Sequence, residues 1–425
     1  MRSIGLILTL TLFTLTSVAQ FKNILLDPGL GAESPKAPTV AINPKNPKNI
    51  VAIASPGTLY YSMDGGLAWK KNAVTTAFGI AGSPVLLANG KGTFFLVHRS
   101  APAGDQKTTH IVCHVSDDGG QTWDEGSPIG MTLNKVLDNP AMSFDSKGNL
   151  VVTFTQFDSY PSTDPDCTSR IMMSTSSNGK KWSKPFQLSQ AEGNCLDDGH
   201  TAKGAVPAIG NDGKMFVAWS NQEKIFLDRS YDGGSMWLSN DINITEQKGG
   251  WKLSVEGYEE AHGMPTLLID NTAKGIARGS LYVVWADQRN GAADADIWFM
   301  RSSNYGDNWT PPLRINKDDT HRQQYLPAMA IDQSTGNLYI VYYDRRDEDN
   351  LSTNVYLAWS TDNGLNFKET KISETSFTSD GGTLGGRMGI AAYKGIIVPI
   401  WTRSDGGKNS IVSAIIKQED LVKIK

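Results

Sequence analysis

The sequence predicts an all-β fold assembled from seven copies of one small antiparallel unit, and three observations predict it. First, the octet Ser62-Met63-Asp64-Gly65-Gly66-Leu67-Ala68-Trp69 returns as Ser116-Asp117-Asp118-Gly119-Gly120-Gln121-Thr122-Trp123 and as Ser230-Tyr231-Asp232-Gly233-Gly234-Ser235-Met236-Trp237, with degenerate copies from Thr175 to Trp182, Ser302 to Trp309 and Ser360 to Phe367. Second, ahead of each octet stands a proline, an apolar strand, a Gly/Asn/Asp turn and another apolar strand, beginning at Pro38, Pro84, Pro140, Pro207, Pro265 and Pro327. Third, 42 Gly, 19 Pro, 11 Trp and 13 Tyr, with only 20% charged residues, suit short strands and turns better than helices.

Taken in order, the chain opens on an address. Arg2, the apolar run Ile4–Leu15 and Ser17-Val18-Ala19 before Gln20 read as a leader over residues 1–19, leaving 20–425 as one secreted or periplasmic domain. Phe21–Leu26 follows as a strand with no partner nearby in sequence. The fifth unit reads Pro265–Asp270 then Leu281–Trp285, and the sixth Pro327–Asp332 then Leu338–Tyr342. A seventh runs through Met388–Ala392, Ile396–Trp401 and Ser410–Ile416; it has no octet and lacks a fourth strand, which Phe21–Leu26 can supply. That closure makes a ring without free sheet edges. Beyond residue 20 no apolar run approaches the ~20 residues of a membrane span. The net charge of −4 speaks against binding nucleic acid through its backbone. A monomer is expected. Of the three cysteines, Cys167 and Cys195 could pair in an oxidising compartment, leaving Cys113 as a buried thiol.

The octets resemble the Asp-boxes of sialidase-type β-propellers. In such a turn Asp and Ser accept from backbone amides, Gly supplies positive φ and the aromatic residue packs back onto the blade. Asp64, Asp118 and Asp232 are therefore assigned to turns and not to chemistry. The resemblance implies a ligand site over the central channel, on the face built by the loops entering each first strand and joining second to third strands.

Titratable residues expected on that face include His98 and His114 in blade two, Tyr160 in the long loop Asp158–Asp166 of blade three, and Arg170 opening its next strand. Together they suit β-elimination at a uronic acid. Arg170 and a histidine would neutralise the carboxylate, while His98 and Tyr160 would move the protons. In this the chain resembles the secreted seven-bladed ulvan lyases, which implies His98, His114, Tyr160 and Arg170 as catalytic residues and an anionic polysaccharide as substrate. The same resemblance implies no cofactor for the chemistry but a structural zinc. Cys195, Asp198, His200 and His262 have the ligand types for it, and a Cys167–Cys195 disulfide competes with that use.

The rival resemblance is to exo-sialidases, which implies three arginines around a carboxylate, a tyrosine nucleophile activated by Glu and an Asp acid/base. No Arg occurs between Arg2 and Arg99, and a sialidase ring has six blades. Arg322, Arg387 and Tyr325, with Glu256 or Glu259, make a partial set. Arg322, Tyr325, Arg387 and Tyr258 are the expected substrate-binding residues. A third class is a propeller that binds glycan without catalysis. The repeated strand ends Asp287/Arg289 and Asp344/Arg346 are expected to be ion pairs between blades.

Overall fold

The computed structural model describes residues 21–30, 34–101, 110–131, 134–273, 275–347, 351–378 and 384–424. The leader expected over 1–19 lies outside these residues. Seven antiparallel sheets follow one another along the chain, and their first strands touch in a closed circle: Lys36–Ile42, Gly82–Ala88, Val136–Phe144, Lys203–Ile209, Thr266–Ile269, Gln324–Asp332 and Gly389–Tyr393. The molecule is a seven-bladed propeller. Its last blade is completed by Asn23–Asp27, which pairs antiparallel with Lys408–Ala414, so the N-terminal strand joins the ends of the ring. The described residues hold a single short helix, Gln418–Val422, and none long and apolar enough to cross a membrane.

The apolar runs are the middle strands, and their burial explains their composition. Ile50–Ser55 and Leu281–Asp287 are buried at every position, because each is covered on both faces by neighbouring blades. The outer strand Lys70–Ala73 is exposed throughout. Trp219, Trp285 and Trp401 fill the spaces between blades, and one buried cluster joins Val40 and Ile42 of blade one to Val398 and Ile400 of blade seven.

The repeated proline has a structural meaning. In blades one, two, three and six the register breaks just there, and the residue before the proline takes positive φ: Ala37 at 52°, Ser83 at 52°, Asn139 at 49° and Leu326 at 52°. Proline has no amide to give a ladder, so it is tolerated at a bulge. Pairing with the second strand resumes on both sides of each bulge, so the first strand bends there without leaving its sheet.

The octet turns hold themselves closed. Asp64 Oδ1 accepts from the amides of Leu67 and Ala68 at 3.0 Å, Ser62 Oγ accepts from Gly66 N at 2.8 Å, and Trp69 Nε1 donates to Gly66 O at 3.0 Å. Asp118 and Asp232 repeat the pattern. The expectation of ion pairs between blades is corrected. Arg289 sits 2.6 Å from Asp287 of its own strand and stacks over Trp298, reaching blade four only through Glu246 O at 3.2 Å. Arg346 likewise binds Asp344 of its own strand and Glu369 of its own blade, and among the described residues its one ion pair outside blade six is with Asp318, 3.9 Å away in the connection from blade five. These pairs pin the corner after each second strand.

Candidate functional site at the channel mouth

The loops entering first strands and those joining second to third strands surround a cavity of about 350 Å³, whose walls include Arg99, Asp138, Tyr160, Asp197, Lys203 and Arg387. It opens onto the channel itself, with which it shares Asn139, His262, Met264 and Arg387.

Tyr160 is brought there by the long loop of blade three. The loop is pinned at its base, where Thr168 N and Oγ1 both donate to Asp158 Oδ2 at 3.0 Å, and along its length by the Cys167–Cys195 disulfide. Arg170 lies 2.7 Å from Asp158 and 2.6 Å from Glu192, so it braces this base. Although burial opposes the charge, Arg170 and Lys135 hold the Asp158 carboxyl well below the usual range.

At the loop's apex the Tyr160 hydroxyl donates to Asp197 Oδ1 and accepts from Lys203 Nζ at 2.8 Å. The same ammonium is 2.9 Å from Asp197 and 3.5 Å from Asp138, and it lies over the rings of Tyr160 and Trp251. Lys252 meets Asp197 at 3.2 Å, and Arg99 faces Asp138 at 3.7 Å. Burial opposes a charge on Lys203, but Asp138, Tyr160 and Asp197 outweigh it and raise its pKa above the ordinary lysine range. Burial would raise Asp197, yet Lys203 and the Tyr160 hydroxyl bring it down to about 2. Burial pushes Tyr160 up, Lys203 pulling the other way. The resting state is a neutral phenol held between a carboxylate and an ammonium.

Two further groups face the opening. Arg387 donates to Pro84 O at 2.9 Å; burial lowers its pKa to about 10, partly offset by Asp138, and it stays cationic at neutral pH. His262 contacts Gly386 O through Nε2 and accepts from Met264 N through Nδ1 at 3.4 Å. Burial lowers it to about 4, so it is neutral.

The expected catalytic four are not brought together. Only Tyr160 lines the cavity. His98 and His114 are fully buried inside blade two, stacked with their Nε2 atoms 3.0 Å apart. Their Nδ1 atoms lie 3.0 and 2.9 Å from the carbonyl oxygens of Arg99 and Asp124. The reason is register: both stand on strands whose side chains point into the blade, not on loops. Arg170 is occupied by Asp158 and Glu192.

Of the expected substrate-binding residues, Arg387 is at the mouth. Arg322 lines a separate cavity, Tyr325 is buried with its hydroxyl 3.2 Å from Thr353, and buried Tyr258 donates to Gly385 O. The zinc set does not assemble. Cys195 is consumed by the disulfide, Asp198 and His200 pair at the surface 3.9 Å apart, and His262 is at the mouth; among the described residues no three metal-binding side chains converge. Sequence reasoning missed Lys203, Asp138 and Arg99. Asp138 stands two residues ahead of the repeated Pro140, where the register of blade three breaks, whereas Lys203 and Arg99 carry no comparable mark in the sequence.

No protein-family profile matches the chain, and no curated protein does. Among solved structures it is similar to the GH93 alpha-L-arabinofuranosidase of Fusarium graminearum complexed with arabinobiose, at 12% identity and a TM-score of 0.52, covering 95% of this chain and 99% of that one. A protein of unknown function from Dyadobacter fermentans matches at 15% identity and 0.52, covering 92% and 99%. The NanB sialidase of Streptococcus pneumoniae matches at 11% and 0.53, covering 88% and 84%. At these identities the likeness is one of fold.

Proposed function

We propose that this protein is a glycan-cleaving enzyme that binds an acidic sugar at the channel mouth and uses Tyr160 as its reactive group. The observation that carries this reading is the Tyr160 hydroxyl, held between Asp197 and Lys203 at the edge of a cavity that Arg387 also lines. Arg387 has a guanidinium edge beyond its bond to Pro84 O with which to take a carboxylate or sulfate. An exported location fits the leader expected over 1–19, and the disulfide fits an oxidising compartment.

Hydrolysis through a covalent intermediate uses these groups most directly. Tyr160 Oη attacks the anomeric carbon as the glycosidic C–O bond breaks, its proton passes to the ionised Asp197, and Lys203 stabilises the developing phenolate. Glu259 on the same wall is the carboxyl group available to protonate the leaving oxygen, Glu260 being paired with Lys36 at 3.1 Å. Water then attacks the anomeric carbon and gives its proton to the glutamate carboxylate left by the first step, while the sugar–tyrosine bond breaks and Asp197 returns its proton to Tyr160 Oη. The known activities of the arabinofuranosidase and the sialidase with this fold support the hydrolytic class.

A second reading is β-elimination at a uronate of an ulvan-like glycan, and one observation favours it. Tyr160 lies beside cations able to neutralise a carboxylate, so the phenol could relay the C5 proton without either histidine. The two readings separate in one assay. Sialyl, arabinofuranosyl and uronate-containing glycans, ulvan among them, are incubated with the full chain, and reducing ends are measured beside the ultraviolet absorbance of an unsaturated uronate. Reducing ends without the chromophore mean hydrolysis, and the chromophore means elimination. If neither forms with any of these glycans, the enzymatic reading fails.

A further inference from the structure

Away from the mouth, a second cavity of about 780 Å³ opens beside blades five and six, where Arg322, Gln323 and Arg345 face Glu256 and His321. Arg345 is only 4% exposed. Its Nη1 donates to the main-chain oxygen of Glu256 at 2.8 Å and its Nε to Thr353 Oγ1 at 3.3 Å, while Nη2 has no partner. None of these bonds goes to a carboxylate. A buried guanidinium without a counter-charge is destabilising unless something else supplies one. Glu256 is the carboxylate in the cavity lining, its main-chain oxygen already taken by Arg345, and His321, 2.8 Å from Asp294, has its pKa raised by that carboxylate.

A third hollow, of about 820 Å³, lies between this cavity and the mouth: it shares Lys252, Glu259 and Glu260 with the mouth and Ser254 and Val255 with the Arg345 cavity. The segment from Lys252 to Glu260 therefore lines a row of three hollows from Tyr160 to Arg345.

We propose that Arg345 heads a second anion-binding subsite, joined to the mouth along this segment, and that the substrate is therefore a polymer carrying acidic groups on at least two of its sugars. The inference rests on the reading of the mouth as an acidic-sugar site and extends it from one sugar to a chain. An exo-acting enzyme for a single terminal sugar has no use for such a row.

The test is calorimetric titration of the full-length Tyr160→Phe protein, which removes turnover, with oligogalacturonates of two to eight units and neutral cello-oligosaccharides of the same lengths where soluble. Affinity for the acidic series should rise at least roughly tenfold with length, as one charge-assisted contact is added. The neutral series should show no such step. Adding Arg345→Gln should remove the step while leaving binding of the shortest acidic oligosaccharide within about twofold, and Arg345→Lys, which keeps the charge, should restore part of it. If short acidic oligosaccharides bind but affinity does not grow with length, or the step survives in Arg345→Gln, the second subsite is wrong and the mouth reading stands. An equal step in the neutral series also overturns it. If no acidic oligosaccharide binds at all, the reading of the mouth falls and the subsite with it. Should thermal melting show Arg345→Gln unfolded, Arg345→Lys takes its place, with a reduced length step expected and an unchanged one counting against the proposal.

Discussion

In blade two, His98 and His114 lie ring against ring with no access to water; at the mouth, Tyr160 meets Lys203 and Asp197 where solvent and a ligand can reach. Both clusters hold titratable groups within hydrogen-bond distance, and both come from chain segments rich in the residues of acid–base chemistry. They differ in what completes their hydrogen bonds. Each histidine Nδ1 points at a main-chain oxygen, so the neutral pair has two protons for three contacts, and among the described residues the charges beside it are Asp124, with Lys180 beyond it, and Arg99. At the mouth Lys203, Lys252 and Arg99 each face a carboxylate. That cluster is satisfied at rest and open on one side, and the histidine pair is neither.

The comparison breaks first on activity. Tyr160→Phe should lower turnover by about 10³-fold or more, as removal of a nucleophile or proton relay does, while the thermal midpoint moves little because Lys203 and Asp197 remain paired. His98→Gln should leave turnover on the same glycan within about twofold. If the histidine variant lost activity and the tyrosine variant kept it, the two regions would have to exchange roles.

Stability separates them next. Lys203→Met removes the cation that Asp197 and Asp138 share and leaves each with one more distant partner, Lys252 at 3.2 Å and Arg99 at 3.7 Å, a loss of about 3 kcal/mol in denaturant unfolding, the low end for a broken buried pair. Changing both carboxylates as well, Lys203→Met with Asp138→Asn and Asp197→Asn, should recover much of it. A Lys203→Met protein as stable as the parent would mean the network is solvated.

The histidine pair should announce itself through pH. Burial brings His98 down to about 4 from an ordinary 6.5, and burial lowers His114 as well. The unfolded chain therefore binds more protons than the folded one between those values, so stability falls as pH drops from 6.5 towards 4 and levels off below. For a shift of this size the loss is about 3 kcal/mol. His262 is lowered to about 4 in the same way, so the measurement is the difference between the parent and a protein with His98→Gln and His114→Gln. The slope between pH 6.5 and 4 should be shallower in the double variant; equal slopes would mean that the pair is protonated in the native state.

Much of the fold was legible because it is periodic. Six octets, six proline-led strand pairs and a seventh pair without the proline gave the blade count, and the missing fourth strand of the last blade pointed to the N-terminal segment, which sits in that place at Asn23–Asp27. The site was legible only where a loop was. Tyr160 stood out in a long polar loop, whereas Lys203 and Asp138 lie within strand-like runs whose local pattern says nothing of a neighbouring blade. His98 and His114 misled for the converse reason. An imidazole on a buried strand has the same letter as one at a mouth, and only side-chain direction distinguishes them.

The smallest effect belongs to the turns, and it tests whether the octets are structural throughout. Ser116 is buried, and its Oγ accepts from Gly120 N at 3.0 Å while donating to Asp118 at 2.9 Å. Ser116→Ala leaves that amide without its acceptor and frees the Asp118 side chain from one tether, though Asp118 still holds Gln121 N and Thr122 N. The loss should be about 1 kcal/mol in denaturant unfolding, with cleavage unchanged. The equivalent Ser360→Ala, whose Oγ accepts from Gly364 N at 2.9 Å, should match it even though its octet ends in Phe367 and not Trp. Equal losses at both sites place the stabilisation in the Ser–Asp amide clasp. A much larger loss at Ser116 alone would assign it to the tryptophan, whose Nε1 donates back to Gly120 O at 3.2 Å.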